Sequence, residues 1–223
     1  EGVDKSLGDI VKKTHELGVA DNTIVLFMSD NGGLATGARG GKPRTQNSPL
    51  RGGKGNGWEG GIRVPMIVDW PGVTTEGSVC DEPVIIEDYF PTLLDMAGRE
   101  HFPGETDGLS FTGLLRGEEE LGDDRALFWH FPNFHGTSRP ENCPYSVVRW
   151  RDWKLIYFHP DTRYALYNLA EDIGEEHNLA DERPEMRDRL AEMLGRYLRD
   201  VGAQMPTRKR DGGRVPYPGP GGT

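Results

Sequence analysis

Apolar residues at the start of the chain recur at intervals of three and four. Val3, Leu7, Ile10, Val11, Thr14 and Leu17 share one side of a helix, the spacing that a 3.6-residue turn gives a half-buried face. Gly18 stands where a left-handed cap ends such a helix. After Asp21-Asn22 the pattern changes to a continuous run, Ile24-Val25-Leu26-Phe27-Met28, which reads as a buried strand. A helix leading directly into a buried strand is half of an α/β unit. The strand runs into the polar corner Ser29-Asp30-Asn31-Gly32-Gly33.

From 32 to 61 the chain holds eleven glycines and almost no apolar residues beyond Leu34, Leu50 and Trp58. A loop of this length inside a compact domain is usually functional or disordered, and strands at both ends favour function. The second strand, 62–68, contains Pro65, which donates no ladder hydrogen bond, so it lies at an edge or begins near Met66. Val84-Ile85-Ile86 reads as a further short strand. Residues 87–97 read as a helix with Pro91 near its start and Gly98 as its stop, and 111–115 as a shorter one. Beyond the charged, glycine-bounded segment 117–124 come four short runs rich in aromatic and branched residues, at 126–131, 146–150, 153–158 and 164–169. Their tight connections predict a four-stranded antiparallel sheet. Pro184 opens a last helix whose stripe of Met186, Leu190, Met193, Leu194, Tyr197, Leu198 and Val201 can cover one face of that sheet. After Met205 the chain turns to Pro, Gly and basic residues, a composition expected to bury little. The organisation expected is therefore an α/β part over 1–122, a small α+β subdomain over 123–204 and a tail over 205–223.

The 223 residues carry 36 acidic and 26 basic side chains, a formal charge of −10 spread along the chain. That distribution is no nucleic-acid footprint. No apolar run approaches the roughly 20 residues of a membrane span, and no charged-then-apolar leader opens the chain. The first residue is Glu1, which fits removal of a leading segment or a piece of a longer protein. Cys80 and Cys143 have no neighbours at metal or redox spacing, and either one disulfide or two free thiols fits the sequence.

Two stretches carry candidate chemistry. Asp30 and Asn31, at the carboxyl end of a strand, offer hard oxygen donors suited to Ca²⁺ or Mg²⁺. The same residues with Gly32 and Gly33 also make an Asx turn, which is the commoner use of the pattern taken alone. In Leu50-Arg51-Gly52-Gly53-Lys54-Gly55-Asn56-Gly57-Trp58-Glu59-Gly60-Gly61, one lysine sits among glycines that let backbone approach a ligand closely. Lys54 there suits a tetrahedral oxyanion, or else is a solvated charge on a mobile loop. Gly55 after Lys54 excludes a P-loop.

Taken in order, several stretches resemble the later part of the catalytic domain of type I, formylglycine-dependent sulfatases of arylsulfatase type. They are Ser29-Asp30-Asn31-Gly32-Gly33, Asn47-Ser48-Pro49-Leu50-Arg51-Gly52-Gly53-Lys54, Trp58-Glu59-Gly60-Gly61-Ile62-Arg63-Val64-Pro65, 88–98, Asp107-Gly108-Leu109-Ser110, Trp129-His130-Phe131-Pro132, Asp152-Trp153-Lys154-Leu155 and Leu166-Tyr167-Asn168-Leu169. The resemblance implies an alkaline-phosphatase-like α/β domain followed by the small subdomain. It implies Asp30 and Asn31 as two ligands of Ca²⁺ (or Mg²⁺), and Lys54 as the catalytic group on the sulfate. The substrate implied is a sulfated small molecule or carbohydrate, and the location periplasmic or secreted. His130 and His135 either reach the pocket mouth to contact substrate or pack among aromatics at a domain seam. Glu59 reads as a hydrogen-bonding brace of the loop.

The family nucleophile is a formylglycine made from the Cys of a C-x-P-S-R motif, and this chain has none: Cys143 is followed directly by Pro144 and Tyr145. The expectation is the C-terminal half of a sulfatase, inactive without the half that precedes it. The alternatives are a phosphodiesterase or phosphonate hydrolase of the same superfamily and a non-catalytic truncated binding protein.

Overall fold

The computed structural model describes residues 1–34, 47–99, 106–118, 121–122, 124–134, 143–209 and 211–220. The chain forms two compact units: Glu1–Met28 with Pro65–Asp123, and Ser29–Val64 with Asp124–Thr223. The glycine-rich loop is thus grouped with the C-terminal sheet and not with the strands that flank it in sequence.

In the first unit, helix α1 (Gly2–Glu16) forms as the apolar spacing predicts, but none of its residues is buried, and Val3, Ile10 and Leu17 are each more than half exposed. Strands β1 (Val25–Met28) and β2 (Met66–Asp69) pair antiparallel, with Phe27 opposite Ile67. The expected buried strand of an open sheet is half-buried here. Val84-Ile85-Ile86 is no strand, because the buried Asp88 carboxylate accepts from Ile85 N at 2.8 Å and Leu109 N at 2.9 Å and bends the chain into a 3-10 turn, Ile86–Asp88. Helices α3 (Tyr89–Met96) and α4 (Thr112–Arg116) follow.

In the second unit, α2 (Glu59–Ile62) is a single short turn at the end of the loop. Strands β3 (Ala126–Phe131), β4 (Tyr145–Trp150), β5 (Trp153–Phe158) and β6 (Arg163–Asn168) form a four-stranded sheet in chain order, antiparallel throughout. Alternation sorts the side chains onto two faces. Val148, Trp150, Leu155, Tyr157 and Leu166 pack against Leu190, Leu194 and Leu198 of α5 (Pro184–Asp200). On the opposite face Tyr145, Val147, Ile156, Phe158, Ala165 and Tyr167 pack with Trp58 from the loop. The sheet is therefore covered twice, once by the predicted helix and once by a loop whose composition gave no hint of it.

The C-terminal residues correct the expectation of an unpacked tail. Met205 and Val215 are buried in the helix-side core. Val215 N donates to Pro206 O at 2.9 Å, and Tyr157 Oη donates to Pro216 O at 3.0 Å. A Cβ on Gly195 would lie 2.0 Å from Pro218 O, so the crossing of the tail over α5 requires glycine there, at a helix-propensity cost of about 1 kcal/mol. Pro and Gly here direct an extended segment across a helix. Val215→Ala is expected to destabilise the protein by about 2 kcal/mol in urea unfolding, and Val215→Asp by more. Wild-type midpoints for both variants would return the tail to the unpacked class.

Candidate functional site

The glycine-rich loop is held by its own backbone. Gly32 N donates to Gly61 O at 3.0 Å, Lys54 N to Gly33 O at 3.1 Å and Gly60 N to Arg51 O at 2.8 Å. Asn47 Nδ2 donates to both Gly33 O and Gly52 O at 2.9 Å, and buried Asn56 accepts from Gly53 N at 2.9 Å. A Cβ on Gly32 would lie 1.8 Å from Gly60 O, and one on Gly61 2.2 Å from Asn56 O. Only glycine permits these strands of loop to touch. The described parts of the loop, 32–34 and 47–61, form a knot of close backbone contacts.

A buried charge cluster fixes this knot to the sheet. Lys154 Nζ on β5 lies 2.8 Å from Glu59 Oε1 and 2.9 Å from Glu175 Oε1, and all three side chains are almost fully buried. Glu59 N also donates to Glu175 Oε2 at 2.6 Å. Arg63 approaches Glu59 Oε2 at 3.7 Å, setting a second cation beside the two carboxylates. Burial pushes the Glu175 carboxyl above its ordinary value, against the pull of Lys154, and the Glu59 charge adds to the rise. Arg51 Nη1 donates to Glu175 O at 2.6 Å while its guanidinium lies over the Trp58 ring at 4.4 Å. Glu59 is the brace expected of it; Lys154 and Glu175 are the partners that sequence reasoning missed. Lys154 was visible as the one charge inside the run Trp153-Lys154-Leu155-Ile156-Tyr157-Phe158, and a lysine in a strand buried on both faces implies an acidic partner.

Asp30 is exposed and Asn31 half-buried. Asn31 Nδ2 donates to Gly32 O at 3.1 Å, which leaves its Oδ1 available as an oxygen donor next to the Asp30 carboxylate. This donor pair fits a hard divalent cation. No cluster of three or more His, Cys, Asp or Glu among the described residues is arranged for a metal. The Lys54 backbone is tied to this segment through Gly33, and its exposed side chain has no ion pair among the described residues.

His130 stands elsewhere, half-buried on β3. Its Nε2 lies 3.2 Å from Gln204 O, so that nitrogen carries the proton, and Nδ1 accepts from Ser146 Oγ at 2.8 Å. Ser146 Oγ in turn accepts from Nε2 of the buried His159 at 2.9 Å, leaving His159 Nδ1 bare. Both His130 nitrogens are engaged within the protein, the arrangement of a packed histidine. Burial lowers the pKa of His130, and burial with the neighbouring His130 lowers that of His159 to about 3. His135 lies outside the described residues. Neither Cys80, which is exposed, nor Cys143, which is buried, forms a disulfide.

Two outcomes follow from the buried groups. Lys154→Met leaves two buried carboxylates without their cation and is expected to cost about 3–5 kcal/mol in chemical unfolding; a loss below about 1 kcal/mol would show that Lys154 does not hold the loop. His159, with its folded pKa depressed to about 3 from 6.5, contributes stability that is present above pH 6.5 and lost as pH falls toward 3. The slope is up to about 1.4 kcal/mol per pH unit. His159→Gln should make the stability profile between pH 6 and 4.5 shallower by about one proton, and coincident slopes would discount this histidine.

Comparisons with known proteins bear on the whole chain. Residues 54–204 match the family model "N-sulphoglucosamine sulphohydrolase, C-terminal", and residues 1–99 match the model "Sulfatase". A sulfatase of Formosa agariphila is 38% identical over 217 residues, covering 90% of this chain and 37% of that protein. Mouse steryl-sulfatase is 38% identical over 169 residues, covering 72% of this chain and 25% of that protein. Among solved structures, Ps i-CgsB in complex with k-i-k-neocarrahexaose superposes with a TM-score of 0.71 at 25% identity, covering 87% of this chain and 40% of that one. Phosphonate monoester hydrolase of Agrobacterium radiobacter superposes with a TM-score of 0.65 at 25% identity, covering 93% and 42%. The chain thus spans between 25% and 42% of the length of these relatives. No helix among the described residues is long and apolar enough to cross a membrane. The order of these matches along the chain, together with an alkaline-phosphatase-like fold, makes this chain a member of the sulfatase family.

Proposed function

We propose that this chain supplies the sulfate-holding lysine and part of the metal-holding face of the active site of a sulfuric ester hydrolase. One observation carries the reading: a glycine knot held by backbone hydrogen bonds presents an exposed Lys54, with no ion pair among the described residues, on the segment hydrogen-bonded to Gly33 beside the Asp30-Asn31 corner. Lys54 would bind a sulfuryl oxygen and offset the negative charge that develops as the ester bond breaks, from a position that needs no reorganisation. Asp30 and Asn31 would hold Ca²⁺ or Mg²⁺, which when bound supplies Lewis-acid polarisation of the sulfate oxygens. The nucleophile of this reading is the formylglycine of a C-x-P-S-R motif outside this chain. Neither Cys80 nor Cys143 lies in such a motif.

The substrate class in this reading is a sulfate ester of a carbohydrate or small molecule, and the location periplasmic or secreted. The shared fold of the phosphonate monoester hydrolase would serve phosphoryl chemistry equally, but the sulfatase family models cover the chain from 1 to 204, which favours sulfate. In the whole protein, Lys54→Ala is expected to lower kcat/KM for 4-nitrophenyl sulfate by about 10²–10³-fold. Asp30→Ala should raise the Ca²⁺ concentration needed for half-maximal turnover. Unchanged kinetics in the first variant removes Lys54 from the site, and an unchanged metal requirement in the second removes Asp30.

A further inference from the structure

The second unit contains a cavity of about 420 Å³ that the reading above does not use. That volume lies within the range of small-molecule pockets, about 300–1,000 Å³. Trp58 and Tyr167, both buried, form part of its apolar lining, and the exposed Arg51, Arg163, Glu176 and Asn178 add polar groups. Asn178 is committed to the fold, since its Oδ1 accepts from Leu166 N at 2.9 Å and Ala180 N at 3.0 Å. The two arginines are committed only in part. Arg51 uses Nη1 on Glu175 O and Tyr167 Oη, and Arg163 uses Nε on Asp161 at 3.0 Å while lying 3.7 Å over the Phe158 ring. The other guanidinium nitrogens of both have no protein partner among the described residues. Two fixed planar donors thus border one cavity with a single lining carboxylate, Glu176.

The chemistry of the lining selects among ligands. Guanidinium groups with free N–H pairs take up sulfate or carboxylate in the plane of the fork. An apolar sterol body would cover both cations and Glu176 without giving them partners, at a desolvation cost. A nucleobase needs an open aromatic face, and Trp58 is buried with Arg51 already stacked on it. A sugar carrying one anionic group satisfies all the parts, with hydroxyls for Glu176 and a C–H face for the apolar lining. Arg51 also lies three residues before Lys54 on the same knot, so a ligand unit here adjoins the segment that presents Lys54.

We propose that this cavity is an accessory subsite for a sulfated sugar unit, held by Arg51 and Arg163 through its sulfate group and by Glu176 through its hydroxyls. The proposal rests on the sulfatase reading for the identity of the anion but not for any catalytic step. The test is titration of the full chain with galactose 6-sulfate and with galactose, followed by calorimetry and tryptophan fluorescence. Galactose 6-sulfate should bind with a fluorescence change that disappears in Trp58→Phe, and galactose at least tenfold more weakly. Arg163→Ala should weaken binding about tenfold and Arg163→Glu should abolish it. Arg163 is half-exposed, so circular dichroism and melting of both variants should match wild type. In Lys54→Ala, the part of the binding that Arg163→Glu removes should remain.

Equal affinity for the two sugars, wild-type affinity in Arg163→Glu, or absence of binding overturns the subsite. Loss of binding in Lys54→Ala with none in the Arg163 variants overturns it as well, placing the sugar at the lysine. Failure of the sulfatase reading shows separately, as absent hydrolysis of 4-nitrophenyl sulfate by the whole protein while galactose 6-sulfate still binds through Arg163.

Discussion

Lys154 brings together two acidic residues that are far apart in sequence. Its ammonium, inside a sheet covered on both faces, touches Glu59 from the glycine knot and Glu175 from the connection after β6. Such a cluster adds little net stability over an apolar replacement, because each charge loses its water. Loss of one member, however, leaves the others buried without compensation. Its value is therefore positional. The loop can sit on the sheet only where Glu59 meets Lys154, and that placement brings Trp58 down onto Phe158, with ring centroids 5.8 Å apart.

Once the end of the knot is fixed, the rest follows from close backbone contact. Glycines at 32, 60 and 61 allow carbonyls to approach where a Cβ would collide, and Asn47 and Asn56 satisfy the amides and carbonyls that such a turn-rich path leaves over. Lys54 gains from this a backbone held by hydrogen bonds, with its side chain exposed and without an ion pair among the described residues. Arg51 and Glu59, three before and five after it, turn toward the sheet instead.

The other polar cluster has a different character. His130, Ser146 and His159 form a directional chain in which each hydrogen has one acceptor, and burial keeps the imidazoles neutral. A chain of neutral donors and acceptors specifies one arrangement of the strand ends without a buried charge. The two clusters serve the two faces of the sheet, charge pairing on the loop side and neutral hydrogen bonding toward Gln204.

Much of the architecture was legible from local pattern. Period-four spacing marked α1 and α5, and short aromatic runs marked the four-stranded sheet; the connections of two residues between β4 and β5 and four between β5 and β6 permit only antiparallel pairing. Asp30, Asn31 and Lys54 were legible as hard donors and an isolated cation in glycine. The sequence alone could not show that the loop leaves its flanking strands to cover the C-terminal sheet. Nor could it show that the Pro- and Gly-rich tail packs over Gly195, that His130 is tied at both nitrogens, or that Arg51 and Arg163 border one cavity. Each of these depends on contacts between residues tens of positions apart, and pairings over such separations are set by packing of whole faces, which periodicity along the chain does not encode.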